Sequence, residues 1–516
     1  MSPIRFFVMG CGLLCMLLQC SHKEILRGGC LVIGSATDAL SLDPGDQWDL
    51  YSSQVVVNIF ETLVRYKEGS FDIEPCLAES WKVSDDGLVW QFQLRRNVLF
   101  HDGTRFNADA VLFSFQRQMD SSFPFRFGDF EAWDPLFGMI KTIRALSEYD
   151  VEISLNEPYA PFLSNLTLDQ AGIVSPTAVK KWQESFFENP IGTGPFVFDK
   201  WFHEDRIIIT ANENYWDKRP FLDTVIFRTI EDNTLRMAEL KRGNLHFVRE
   251  SESDNFSIIT GLSSLKIIQT PVMDITYLAM NTQRHPFDDV RVRLALASGF
   301  QKERLIRYVY QDRVTVATTP LPKEMWGFND TLHDYAYDPS KTADLLREAG
   351  YPRGLDIHVL IPQGNLEQLK FMQLVRENLL PMGINLLIEI MDWKQLIETA
   401  QNGEHEALVA TWEGDTGDPD NFLYVLLDRD NARLGGENLA FYTNDSLHAI
   451  LTQARKTEFL PVREKLYKQA QEIIHCDVPW IPLWHSKSVW ILNEKIRNCV
   501  PGPSSQVRFQ HVYFKK

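Results

Sequence analysis

The sequence predicts an α/β protein of two closely joined lobes. Three observations carry this. The chain has 516 residues, more than one hydrophobic core serves, so two or more domains are expected. The first half is rich in strand patterns, among them a hairpin over 81–103. The second half alternates the two periodicities: a strand over 355–361, a helix through 380, and a strand over 384–391. That βαβ order implies a partly parallel sheet. No internal repeat, low-complexity tract or long linker divides the halves.

Taken in order, the chain opens on a targeting segment. One Arg in "MSPIR" precedes thirteen uncharged residues, 6–18, the length of a signal peptide's apolar region and short for a bilayer span. The segment 1–19 is therefore set apart from the fold. It ends in "LLQC", which resembles a bacterial lipoprotein cleavage box with Cys20 as the lipid-bearing residue, although Gln19 departs from the small residue usual there. No later uncharged run reaches the roughly 20 residues of a transmembrane helix, so an exported soluble body is expected.

"CLVIGSA" opens the mature chain as a strand. In 81–103 the Asp86-Gly87 pair predicts a two-residue turn, and Leu88, Trp90, Phe92 and Leu94 alternate onto one buried face. "FNADAVLFSFQRQM" then predicts a helix capped by Asn107, with Val111, Leu112, Phe115 and Met119 on one side. "NPIGTGPFVFDKW" is a Gly/Pro turn feeding a strand. It lacks the GK[ST] and the following helix of a phosphate loop. Residues 287–310 are predicted helical. In "YDPSKTADLLREAGYPRG" Asp338 caps, Pro339 opens the first turn, Leu345 and Leu346 face inward, and Gly350 with Pro352 stops the helix. A late amphipathic helix over 463–475 and an apolar segment over 478–485 close the pattern.

Bulk properties narrow the function. The formal charge of −17 argues against nucleic acid as a general partner. The 13 Trp and 33 Phe suffice for cores or an aromatic-lined cleft. Cysteines stand at 11, 15, 20, 30, 76, 476 and 499. None has the CxxC spacing of a zinc site, so structural thiols or disulfides are expected. Searches for GxSxG and HExxH fail. His101, His405, His475 and His485 are singly uninformative. No enzymatic activity, resident cofactor or metal is expected.

The most informative stretch is "TWEGDTGDPDNF", 411–422. It follows the apolar run "ALVA", 407–410, read as a short buried strand, and offers Glu413, Asp415, Asp418 and Asp420. Their spacing does not complete a calcium loop, and a glycosidase would need a second acid at a set distance. Asp418 to Asn421 has turn chemistry throughout. Asp415, flanked by Gly414 and Thr416 beyond the Trp412 strand end, lies where ligands bind in open α/β sheets, or is a solvated capping residue.

Several stretches together resemble one family. "AESWKVSDDGLVWQFQLRRNVLFHDGTRFNADAVLFSF", "NPIGTGPF", Tyr215-Trp216, "YLAMNTQRHPFDDVRVRLAL", "MWGFND" with "YAYDPSKTADLLREAG", and "GEHEALVATWEGDTGDPDNF" are similar, in order and spacing, to the peptide-class (family 5) solute-binding proteins of ABC importers. The wording is closest to the dipeptide-binding branch, which also holds haem and glutathione binders. The resemblance implies a two-lobe periplasmic-binding-protein fold of the large peptide-binding type. Lobe I would be 20–270 plus 487–516, and lobe II 271–486. It implies a monomeric periplasmic or envelope receptor that closes on a peptide and delivers it to inner-membrane permease subunits with cytoplasmic ATPases. Haem, glutathione or a metal chelate is the alternative ligand. Asp415 would pair with the peptide's ammonium, and the backbone of Trp412, Glu413 and Gly414 would lie along the peptide like an added strand. Dipeptide-binding relatives carry a carboxylate-gripping Arg in the loop that here reads "IPQGNLEQ". This loop has no Arg, and Gln363 or Gly364 falls nearest. A strict dipeptide with a buried C-terminus is thereby put in question.

Overall fold

The computed structural model describes residues 25–250, 262–311, 313–502 and 505–516. The expected signal peptide, 1–19, and Cys20 lie outside them. One large sheet organises the chain. Its strands run in the order Ile384–Met391, Leu355–Pro362, Ala407–Glu413, Asp274–Met280, Trp480–Asn493, Phe247–Glu250, Cys30–Ser35, Thr224–Thr229, Arg206–Ala211 and Phe196–Phe202. The strand Trp480–Asn493 belongs to both lobes. Its first part pairs with Asp274–Met280, Leu278 opposite Ile481. Its second part pairs with Leu265–Pro271, Leu265 opposite Asn493, and with Phe247–Glu250. The chain crosses between the lobes there and again where Leu265–Pro271 leads into Asp274–Met280.

Each lobe has its own core. In the second lobe, alternate residues of the same strands go to opposite faces. Leu278, Ala407 and Val409 meet Phe371 and Leu386 on one side. Tyr277, Ala279, Leu408 and Ala410 meet Leu423, Tyr467 and Trp480 on the other. A sheet covered on both faces needs apolar residues at every position, which is why "ALVA" reads as an unbroken run. The parallel pair Leu355–Pro362 and Ile384–Met391 is in register from Leu355 opposite Ile384 and is linked by the helix Leu366–Leu379, as the βαβ pattern predicts. The first lobe packs Leu31, Ile33, Val55 and Ile59 against Trp490, Leu492 and Phe509. Beside this core lies a four-stranded sheet built on the predicted hairpin, with Trp90, Phe92 and Leu94 buried.

Several boundaries differ from expectation. The hairpin strands are Ala78–Val83 and Val89–Leu94, and Ser84 N–H donates to Val89 O at 2.9 Å. Residues 85–88 therefore form the loop, which is wider than a two-residue turn. The Asp86 side chain accepts from Leu88 N–H inside that loop and holds it open. The helix Ala108–Met119 starts at Asn107 as predicted, but its buried face runs through Ala110, Val111, Phe113, Ser114 and Phe115, leaving Met119 exposed. The stretch 287–310 is two helices, Val290–Ser298 and Lys302–Tyr310, because Gly299 and Phe300 end the first. The strand at 407 continues to Glu413, since Asp274–Met280 pairs with it along its whole length. In the Gly/Pro turn, a Cβ on Gly192 would lie 2.2 Å from Ile59 O. That glycine serves close backbone approach. Cys30, Cys76, Cys476 and Cys499 are free thiols.

Candidate ligand-binding site

The end of the strand Ala407–Glu413 is fixed by its neighbour. Asp274 stands opposite Glu413, Ile275 opposite Trp412, and Gly414 N–H donates to Met273 O at 2.6 Å. The chain then turns, and one side chain holds the turn. Asn421 Oδ1 accepts from Asp415 N–H at 3.1 Å and from Trp412 Nε1 at 3.2 Å, while its Nδ2 donates to Asp415 Oδ2 at 3.3 Å. A Cβ on Gly414 would meet the buried Phe422 ring at 2.6 Å, so only glycine fits there.

The four acids of this stretch divide by partner. Asp418 is buried and forms a forked pair with Arg463, 2.8 and 2.9 Å, and its side chain accepts from Asp420 N–H at 3.0 Å in the turn that leads into the helix Asp420–Leu427. Asp420 lies 3.3 Å from Arg455, and burial pushes its pKa up to about 6. Turn chemistry thus describes Asp418 and Asp420 only in part, since each also answers a buried cation. Glu413 is exposed. Asp415 is half-buried, has no cation partner among the described residues, and is raised above the usual carboxylate range by burial, with Asn421 opposing.

Glu413, Gly414 and Asp415 line a cleft of about 350 Å³ between the lobes. The second lobe also contributes Met273. The first lobe contributes Trp48, Asp49, Ser53, Tyr66, Asp169, Arg249 and Arg508. Trp412 is half-buried against Asn421 and is not on this wall, and Gln363 is exposed, with its N–H donating to Met391 O at 2.8 Å, also off the wall. The lobes touch beside the cleft. Gly417 N–H donates to Tyr66 OH at 2.7 Å, and Ala160 N–H to Arg455 O at 2.7 Å.

Sequence reasoning missed the first-lobe wall. Tyr66, Asp169, Arg249 and Arg508 sit in no recognisable motif, and only the fold brings them together. Asp169 is held by Gln47 and Ser53. Burial lowers the Arg249 pKa, with Glu413 opposing, and lowers that of Arg508 as well.

Such a cleft, with strand ends, a backbone edge and fixed charges of both signs, suits a small charged ligand. Residues 72–433 match the family described as "Bacterial extracellular solute-binding proteins, family 5 Middle". The chain belongs to this family. Family 5 relatives match it almost end to end. Heme-binding protein A of Haemophilus influenzae is 36% identical over 473 residues, covering 88% of this chain and 85% of that one. The dipeptide-binding protein of Escherichia coli is 31% identical over 480 residues, covering 88% and 89%. The periplasmic binding protein DppA of Helicobacter pylori, solved with the peptide STSA, shares 33% identity and superposes with a TM-score of 0.75 over 95% of this chain and 99% of that one. This family 5 chain has their two-lobe fold.

Proposed function

We propose that this chain is the substrate-binding receptor of an ABC importer, taking di- or short oligopeptides in the interlobe cleft and delivering them to a membrane permease powered by cytoplasmic ATPases. The observation that carries the reading is Asp415: a carboxylate on the cleft wall, desolvated, held in place by Asn421 and lacking a cation of its own among the described residues. A peptide ammonium supplies that cation and three donors, and the lowered dielectric of a closed cleft strengthens the pair. Gly414 and Glu413 offer backbone beside it for an added strand. Lobe I comprises 20–270 and 487–516 and lobe II 271–486, with closure about the two crossovers. Residues 1–19 act as the export signal, with Cys20 as lipid attachment, in the periplasm or envelope. Trp412 shapes the site through Asn421, and Gln363 enters the ligand shell only on closure.

Calorimetric titration tests this. Protein lacking 1–19 is unfolded and refolded to remove carried ligand, then titrated with di-, tri- and pentapeptides bearing free or acetylated N-termini. Binding that disappears on acetylation and in Asp415→Asn supports the reading; equal affinity in wild type and variant rules it out.

A second reading, haem in the same cleft, is favoured by the likeness to the Haemophilus relative. The iron-ligating residue types on the wall are Tyr66, buried with its hydroxyl accepting from Gly417 N–H, and the buried Met273; none of the described lining residues is His or Cys. A Soret band on adding haemin to the refolded protein, competing with peptide, would favour it.

A further inference from the structure

Three cations line the cleft, the exposed Lys67 and the half-buried Arg249 and Arg508; the two arginines are fixed in the wall. Arg249 lies on the strand Phe247–Glu250, opposite Trp490, with its guanidinium over the Trp490 ring at 5.7 Å from the centroid. Among the described residues no carboxylate comes within ion-pair distance of it. Arg508 enters from the C-terminal segment, and its Nη1 donates to Tyr66 O at 3.4 Å. It too has no ion pair among the described residues.

The acids nearest Arg508 are committed elsewhere. Glu61 accepts from Thr193 at 2.9 Å, Tyr215 at 2.7 Å and Trp216 at 2.8 Å. Asp169 accepts from Gln47 and Ser53. Glu68 holds His511 at 2.9 Å. Glu413 acts on Arg249 electrostatically but does not pair with it. Arginine does not discharge at working pH, so a half-buried guanidinium with no ion pair among the described residues is costly and is positioned to receive an anion. Its fork matches a carboxylate in two parallel hydrogen bonds.

We propose that Arg249 and Arg508 form a carboxylate-binding subsite on the first-lobe wall of the cleft, so that the ligand is a short peptide held at both charged ends, its ammonium by Asp415 and its C-terminal carboxylate by the two arginines. This rests on the peptide reading. It moves carboxylate recognition from the loop after Leu355–Pro362, where Gln363 is exposed and off the cleft wall, to the opposite lobe. A ligand bridging the lobes by its two charges then draws them together.

The test pairs each peptide with its C-terminal amide and titrates both into wild type, Arg249→Gln, Arg249→Lys and Asp415→Asn, each checked for a cooperative thermal transition. Amidation weakens binding to wild type on the order of 100-fold. In Arg249→Gln that penalty falls below about tenfold, because the carboxylate has already lost a partner. In Arg249→Lys it is intermediate, since the charge remains and the fork does not. In Asp415→Asn, measured at raised protein concentration, the amidation penalty persists although overall affinity drops. Free-acid and amidated peptides binding wild type equally would overturn the subsite and leave the ammonium site standing. An undiminished penalty in Arg249→Gln would overturn the role of Arg249. No binding of any free peptide by wild type would overturn the peptide reading and this subsite with it.

Discussion

Asp415 sits half-buried with an amide, Asn421, beside it and no cation among the described residues. Its pKa in the folded chain is raised, so the folded state holds that proton more tightly than the unfolded chain does. Stability from this group is therefore present at low pH and is lost as pH rises through the folded pKa. Asp415→Asn removes that loss and keeps an acceptor for Asn421 Nδ2. The ligand-free variant is expected to melt higher than wild type at pH 7.5, with the difference shrinking toward pH 4, by scanning calorimetry. The same change costs peptide affinity about 3–5 kcal/mol, or about two to three and a half decades. With Asp415 as the proposed ammonium site, peptide affinity of the wild type is expected to fall as pH drops through the free Asp415 pKa, with proton release on binding near that pKa, both read by titration calorimetry. Asp415 was legible in the sequence because it stands between an apolar strand run and a turn, both of which the local residues mark, although the strand's last residues are set by its neighbour. Asn421, which fixes it, read as a turn residue. Arg249 and Arg508 were illegible, because Arg249 is placed by the pairing of Phe247–Glu250 with Trp480–Asn493 and Arg508 by a C-terminal segment that Gln54 and Asn58 hold from far away in the chain.

The loop 414–422 and the helices behind it form one electrostatic unit. The forked Asp418–Arg463 pair ties the loop to the helix Leu460–Asp477, and the Asp420–Arg455 pair ties it to the helix Asp445–Lys456. Arg463→Leu strands a buried carboxylate and is expected to cost about 3–5 kcal/mol in urea unfolding. The double variant with Asp418→Asn should recover a large part of that. At Gly192 the obstacle to a Cβ is backbone, Ile59 O, which cannot swing aside. Gly192→Ala is expected to cost more than 1–3 kcal/mol, the range for overpacking that flexible side chains can absorb, and is read from the same unfolding curves. Local punctuation explains which elements were legible. Asn107 and Asp338 cap helices that begin where the sequence places them. The βαβ unit announces itself by period and length. The break at Gly299 and the extension of 407–410 to Glu413 are imposed by neighbouring chain, so no local pattern marks them.

Across the whole molecule the lobes share a strand and a hinge carboxylate. Asp274, at the start of Asp274–Met280, accepts from Ser486 N–H at 2.7 Å, which places it at both crossovers. Burial pushes its pKa up to about 7. Because that is above the unfolded value, its contribution to stability is complete below the unfolded pKa and lost as pH rises through about 7. Asp274→Asn should therefore gain on wild type in melting temperature as pH rises from about 4 to about 7, change little beyond that, and converge with wild type toward pH 4. The two-lobe plan was legible from length and from the change of pattern along the chain. The sharing of Trp480–Asn493 was not, since the segment reads as one apolar run. That strand also sets an order of assembly. The second lobe has all its strands once the chain reaches Ser486, whereas the first lobe still lacks Trp490, Leu492, Val507 and Phe509, which close its core. During synthesis Cys30–Ser35 and Phe247–Glu250 are therefore made long before Trp480–Asn493, and the edge of Phe247–Glu250 that this strand covers stays unpaired until it is present.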